Sequence, residues 1–240
     1  MSTVKRTILI TGCSSGIGWA IARKLLRGNH RVLGISRDCR KFTVERTGFV
    51  PLQMDLGNPD TLPDKVKSLR TAYPDLDAVI FAAGMGQFGS LEEFSCSQIQ
   101  QLMTVNFTSQ AILTRELLPG FRKKIRSDMI YIGSEAALKG SRKGAVYCAS
   151  KFALRGFTQA LREECSRSGV RVSLINPGMV KTAFYDPLSF QPGADARNFL
   201  LPEDVAEAVS YVLDSSANSV VDEINLTPLN RVVQFKKSET

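Results

Sequence analysis

Histidine is nearly absent from this chain: His30 is the single copy in 240 residues. Schemes that need several imidazoles are thereby excluded, and a Ser-His-Asp triad would have to recruit a residue standing just before a candidate strand. The five cysteines, Cys13, Cys39, Cys96, Cys148 and Cys165, are odd in number and never form a Cys-x-x-Cys pair. That scatter argues against a disulfide framework and a structural zinc site, and fits a reducing compartment. Long hydrophobic runs are missing too. None approaches the roughly 18 apolar residues that cross a bilayer, and the most apolar stretches, such as Asp77–Gly84, are strand-sized. The run Thr7-Ile8-Leu9-Ile10 behind Lys5-Arg6 is too short for the core of a secretory signal. The expectation is a cytoplasmic protein with no membrane partner.

What is present is enough to fold. Hydrophobic residues make up 43% of the chain and charged residues 22%, which supplies a sizeable core and a soluble surface. At roughly 150 residues per domain, this length allows one large α/β domain, and no internal repeat or Ser/Gly linker divides residues 1–240. The formal charge is +8, yet Lys and Arg are spread along the chain and form no stripe interleaved with aromatics. They read as a solvated surface, so nucleic acid is not an expected partner.

Short strand-like runs alternate with longer segments of helical period, the pattern of βαβ units on a parallel sheet. The strand candidates are Thr7–Ile10, Arg31–Ile35, Phe49–Gln53, Ala78–Phe81, Met129–Ile132, Arg171–Leu174 and Glu223–Leu226. Several are near-continuous apolar runs, as strands covered on both faces should be. Helices are expected over Ile17–Arg27, Leu62–Ala72, Ser97–Arg122, Val146–Ser168 and Glu203–Leu213. In the fourth of these, Ala149, Phe152, Ala153, Phe157, Ala160 and Leu161 mark a stripe expected to face the core. Met179–Leu200 breaks the rhythm and carries Phe184, Tyr185, Pro187, Phe190, Pro192 and Phe199. So many aromatics on a long connection suit a substrate loop better than a plain surface loop. The polar tail, residues 236–240, is expected to fray.

The chemistry begins after the first strand, at Thr11-Gly12-Cys13-Ser14-Ser15-Gly16-Ile17-Gly18. A strand, a glycine turn and a helix let backbone amides and the positive helix end hold a pyrophosphate. Gly12 would make the tight turn, Gly16 let the backbone approach the phosphates, and Gly18 allow close packing of helix on strand. The spacing Thr-Gly-x-x-x-Gly-x-Gly resembles the short-chain dehydrogenase/reductase family and differs from the commoner G-x-G-x-x-G form.

Tyr147 and Lys151 stand four apart on one expected helix, hence on one face. A free tyrosine titrates at about 10. An adjacent ammonium and a cationic nicotinamide both favour the phenolate, which would lower that value and make Tyr147 a usable acid or base. Ser134 follows the strand Met129–Ile132, at the end where open α/β sheets place ligands, and its hydroxyl there would hold a substrate oxygen near Tyr147.

This Ser…Tyr-x-x-x-Lys arrangement is similar to the family's catalytic signature, and Asn106 in Val105-Asn106-Phe107 matches its asparagine. The resemblance implies that Asn106 helps hold a water chain running to Lys151. Pro177-Gly178, Val180 and Thr182 resemble the segment that contacts the nicotinamide, and the likeness adds Ser14, Ser15, Ile17, Leu56, Ala83 and Gly84 to the expected cofactor site. It runs from residue 7 to about 226. It implies a Rossmann-like, doubly wound parallel seven-stranded sheet of order 3-2-1-4-5-6-7 with helices on both faces. One departure stands out: Phe81-Ala82-Ala83-Gly84 replaces the usual Asn-Asn-Ala-Gly, which bears on cofactor geometry.

The end of the second strand discriminates between NAD and NADP, because it faces the adenosine ribose. Here it reads Gly34-Ile35-Ser36-Arg37. Ser36 cannot repel a phosphate and the fork of Arg37 can grip one, which favours NADP. Asp38 is the argument for NAD but falls one residue into the loop. Asp55, in Met54-Asp55-Leu56, matches the family's adenine-contacting aspartate, with a helix cap or loop turn as its plain alternative.

The reading is an NADP(H)-dependent oxidoreductase acting on a carbonyl or secondary alcohol. Tyr147 is its acid/base, Ser134 orients the oxygen, Lys151 binds the nicotinamide ribose, and no metal is needed. Lys139 and Arg142 lie between Ser134 and Tyr147 and would suit a substrate carboxylate, so a 3-hydroxy acid dehydrogenase is the nearest alternative. A catalytically idle NADP-binding sensor is the rival of another class, and the intact Ser134, Tyr147 and Lys151 speak against it. Sugar epimerases need a larger C-terminal domain than the chain has residues for. The resemblance also implies a homodimer or homotetramer packed through Ser97–Arg122 and Val146–Ser168.

Overall fold

The computed structural model describes residues 5–41 and 47–236. In chain order they form β1 (Thr7–Thr11), α1 (Gly16–Arg27), β2 (Arg31–Ser36), β3 (Phe49–Gln53), α2 (Leu62–Ala72), β4 (Leu76–Phe81), α3 (Cys96–Met103) and α4 (Ser109–Phe121). There follow β5 (Ser127–Ile132), α5 (Ala145–Cys165), β6 (Val170–Pro177), β7 (Phe190–Pro192), α6 (Pro202–Asp214), β8 (Glu223–Leu226) and β9 (Val233–Phe235). Seven strands make one sheet in the order β3-β2-β1-β4-β5-β6-β8, and every neighbouring pair in it is parallel. This is the expected Rossmann-like order, the seventh sheet strand being β8 because β7 lies outside that sheet.

Alternate residues of the buried strands feed two apolar layers, as period-two geometry requires. Ile8, Ile10, Val32, Ile80, Ile130 and Ile175 meet α1 and α6 on one face. Leu9, Leu33, Phe81, Met129, Tyr131 and Leu174 meet α2, α4 and α5 on the other. β5 and β6 are buried at every position, whereas the edge strand β3 is partly exposed and so tolerates Pro51. Strand order reverses between β1 and β4, which opens a crevice above their carboxyl ends. At the opposite end of the sheet, buried Asp128 pairs with Arg171 at 2.6 Å and with Arg6 at 2.8 Å. Arg171 also donates to the carbonyls of Val212 and Ser216, fastening the end of α6.

Three features differ from the sequence expectation. The helix expected over Ser97–Arg122 is interrupted by a π-turn at Thr104–Thr108, where the Ser109 hydroxyl donates to the Thr104 carbonyl at 2.8 Å. The stripe on α5 is only partly core: Leu161 is buried, but Ala149, Phe152 and Ala160 are exposed. The inward arc is instead Val146, Tyr147, Ser150, Lys151, Leu154 and Thr158, because the polar site residues claim that face. Finally, the aromatic connection contains β7, which pairs antiparallel with β9. Lys236, the first residue of the tail expected to fray, donates to the carbonyls of Tyr185 and Asp186 at 2.6 and 2.9 Å; the rest of that tail, 237–240, lies outside the described residues.

Candidate active site

The turn after β1 is shaped by glycine. Gly12 and Gly16 take φ of +68° and +52°, a region costly for any residue with a β-carbon. A β-carbon on Gly12 would also stand 2.7 Å from the Ala83 Cα. Ser15 begins α1 without a side-chain cap, and the first turn holds no acidic residue. The positive end of the helix dipole therefore faces the crevice without a counter-charge of its own, a site suited to phosphate.

Around this turn runs a cleft of about 550 Å³ lined by Gly12, Ser14, Ser15, Gly16, Ile17, Gly18, Arg37, Asp55, Leu56, Ala83 and Gly84. A smaller chamber of about 110 Å³ continues it through the shared residues Ile17, Gly84 and Thr182. Tyr147, Lys151, Ser134, Pro177, Gly178 and Val180 line that chamber. Every residue expected to touch a dinucleotide thus lies on one continuous surface. At the rim, Arg37 is exposed, while Asp38 is turned away and bound to Arg40 at 2.9 and 3.1 Å. Asp55 uses one carboxylate oxygen to hold the Gly57 amide at 2.9 Å. The departure at Ala82 leaves its segment anchored: Ala83 N–H donates to the Thr11 hydroxyl at 3.1 Å, and its carbonyl accepts from Gln110 at 3.2 Å.

Tyr147 and Lys151 project from one face of α5, with the Lys151 ammonium 5.9 Å from the Tyr147 ring centre. Lys151 donates to the Ile132 carbonyl at 3.1 Å. Burial governs both groups. It pushes the Tyr147 phenol up to about 12, against the downward pull of a hydrogen bond with Ser134, and it brings Lys151 down to about 8. The expected lowering of the Tyr147 value rested on the ammonium and a cationic nicotinamide together; burial of the phenol acts in the opposite direction, because desolvation disfavours its charged form. A phenol of this kind is protonated at neutral pH and placed to donate. The Ser134 hydroxyl accepts from the Ala136 amide at 3.1 Å, which leaves its proton to donate in turn.

Asn106 lines neither part of the cleft. It is fully buried behind it and holds the Met85 backbone from both sides, accepting at 2.8 Å and donating at 3.0 Å. It also donates to the Ser150 hydroxyl at 3.1 Å, and Ser150 in turn donates to the Tyr147 carbonyl at 2.7 Å. Asn106 thereby ties the loop after β4 to α5 at the π-turn.

Sequence reading missed one polar group. Asn176 accepts from the Ser134 amide at 3.3 Å and donates to Glu223 and Asn225 at 2.9 and 3.0 Å. An asparagine in a strand buried at every position was its one available signal. Aromatic rings cluster around Tyr147: Phe88 lies 4.9 Å from Tyr147 and 4.9 Å from Phe190, and Phe184 lies 6.0 Å from Tyr147. Lys139 and Arg142, expected as carboxylate ligands, are exposed and line neither part of the cleft. Among the described residues no helix is long and apolar enough to cross a membrane, and no group of three metal-binding side chains occurs.

The sequence profile of the short chain dehydrogenase family matches residues 6–191. The chain belongs to that family and is an oxidoreductase of the CH–OH/C=O class. Over 226 residues, 88% of this chain and 82% of the other, it is 34% identical to the uncharacterized oxidoreductase YbbO of Escherichia coli strain K12. It is 29% identical to an NADP-dependent 3-hydroxy acid dehydrogenase of Schizosaccharomyces pombe, covering 93% and 92% of the two chains. Among solved structures, a metagenomic short-chain oxidoreductase in complex with NADP superposes with a TM-score of 0.80 at 29% identity, over 93% and 97% of the chains.

Proposed function

We propose that this chain, acting as a single domain, is an NADP(H)-dependent carbonyl reductase in which Tyr147 is the proton donor. The observation that carries the reading is that the Tyr147 phenol, the Ser134 hydroxyl and the buried Lys151 side chain line one chamber at the inner end of a phosphate-ready cleft. The fit to a dinucleotide rests on the left-handed Gly12 and Gly16, the uncapped start of α1, and Arg37 on the rim. Gly12, Gly16 and Ile17 would hold the pyrophosphate and Arg37 the 2′-phosphate. Bound NADPH supplies the hydride. Ser134 donates to the carbonyl oxygen and fixes its position, and Tyr147 passes its proton to the same oxygen as charge develops there. Lys151 holds the ribose and stabilises the phenolate left behind. Asn106 serves the proton path by setting the loop after β4 against α5.

The substrate is a small molecule gripped by an aromatic wall, which favours an apolar carbonyl compound. The 3-hydroxy acid alternative has the name of the fission-yeast relative in its favour, but the two cations that would take the carboxylate point to solvent. NADPH oxidation with a panel of aldehydes, ketones and diones tests the proposal: turnover that disappears in Tyr147→Phe is expected. Binding of NADPH without turnover of any compound would instead favour the sensor.

The protein acts as a homo-oligomer in the cytoplasm. Ala145, Ala149, Phe152, Gly156 and Ala160 form an exposed stripe along α5, and Phe152 is 45% exposed. Small residues flanking one aromatic suit close helix packing against a second copy.

A further inference from the structure

Asn176 is fully buried in β6, directly before Pro177 and Gly178 of the chamber wall. The ladder between β5 and β6 ends where the Gly133 amide donates to the Ile175 carbonyl at 2.7 Å. The next amide, that of Ser134, turns to a side chain and donates to Asn176 Oδ1 at 3.3 Å. Glycine at 133 makes room for this, since a β-carbon there would stand 2.1 Å from the same oxygen. The carboxamide is also held from behind. Its Nδ2 donates to Glu223 Oε1 at 2.9 Å and to Asn225 Oδ1 at 3.0 Å, and the other Glu223 oxygen accepts from Arg155 Nε at 3.1 Å. Arg155 sits on α5, one turn beyond Lys151 and two beyond Tyr147.

A carboxylate only accepts, so Glu223 draws Nδ2 toward itself and thereby points Oδ1 at Ser134. We propose that Asn176 is a positioning residue for the reduction: locked by Glu223 and Arg155, it sets the Ser134 backbone against the helix that carries Tyr147, so that both hydroxyls meet one carbonyl oxygen. The inference rests on the reductase reading above. Asn176 lines neither part of the cleft, whereas Ser134 lines the chamber, so its effect on the reaction passes through Ser134. A misplacement of about 1 Å at such a group is worth up to about a hundredfold in rate.

Glu223→Gln tests this without altering the cleft. A glutamine offers an oxygen to only one of its two donors, which lets Asn176 turn over and set two N–H groups face to face at Ser134. Single-turnover oxidation of bound NADPH by 4-nitrobenzaldehyde, or by the panel carbonyl that wild type reduces fastest, is expected to slow about tenfold, with the NADPH Kd held within about twofold. In a Ser134→Ala background the same substitution is expected to slow the step by less than about twofold, because the group being positioned is gone. Combining Asn176→Asp with Glu223→Gln exchanges charge and donor across the contact and keeps an acceptor for the Ser134 amide, so the rate is expected to recover to within about threefold of wild type. Equal slowing in both backgrounds, a wild-type rate for Glu223→Gln, or no recovery in a folded double variant overturns the proposal. Exchange of the Ser134 amide hydrogen, read by NMR without substrate, is expected to quicken at least about tenfold in Glu223→Gln, and unchanged exchange overturns it as well. Absence of turnover with every panel compound refutes the reductase reading alone, and the amide exchange then decides whether Asn176 holds Ser134.

Discussion

The Lys151 ammonium stands 5.9 Å from the centre of the Tyr147 ring, and burial drives the two groups in opposite directions, the phenol up to about 12 and the ammonium down to about 8. Between those values both are neutral, and below about 8 the pair is a protonated acid beside a cation. That order suits reduction at neutral pH, where the donor must carry its proton and the ribose-holding group its charge.

A pH profile follows. As pH rises through about 8, Lys151 loses its proton, and kcat/KM for NADPH is expected to fall about tenfold per unit beyond that point. In Lys151→Arg the charge persists and the alkaline limb disappears. A wild-type profile that stays flat to about pH 10 would contradict the assignment.

Arg37 sets cofactor choice. Arg37→Ala removes a charge-assisted grip on the 2′-phosphate and should raise KM for NADPH about ten- to a hundredfold, with KM for NADH nearly unchanged. Steady-state kinetics with both cofactors checks this; equal weakening toward both would place Arg37 elsewhere.

Much of this arrangement was legible in the sequence for physical reasons. Strands buried on both faces must be nearly all apolar, so β1, β4, β5 and β6 announce themselves, and the glycine turn is forced by the left-handed φ of Gly12 and Gly16. What escaped depends on contacts distant in sequence. The π-turn accompanies the grip of Asn106 on Met85, 21 residues away, and β7 and β9 are three-residue strands that exist only by pairing. The phenol value follows from burial, which no spacing of Tyr147 and Lys151 reveals. Ala149, Phe152 and Ala160 carry a helical apolar period that looks the same whether it meets the core or faces outward.

The far end of the sheet carries stability and no chemistry. Asp128→Ala strands buried Arg171 without its counter-charge and removes one of the two carboxylates of Arg6, which keeps Asp77; it should cost about 3–5 kcal/mol in urea unfolding, with KM for NADPH unchanged in the folded fraction. A loss under about 1 kcal/mol would show the pair to be dispensable.

The stripe on α5 predicts assembly. Phe152→Arg places a charge in its centre and should convert the oligomer to monomers in sedimentation at concentrations where wild type stays associated. A wild type that sediments as a monomer contradicts the packing.

The account depends most on the Tyr147 hydroxyl as the source of the proton. Single-turnover oxidation of bound NADPH by a carbonyl compound, compared between wild type and Tyr147→Phe, tests it directly. The expected result is a loss of about 10²–10⁴-fold in rate with the NADPH Kd held within about threefold. A variant that oxidises NADPH at the wild-type rate would contradict the account.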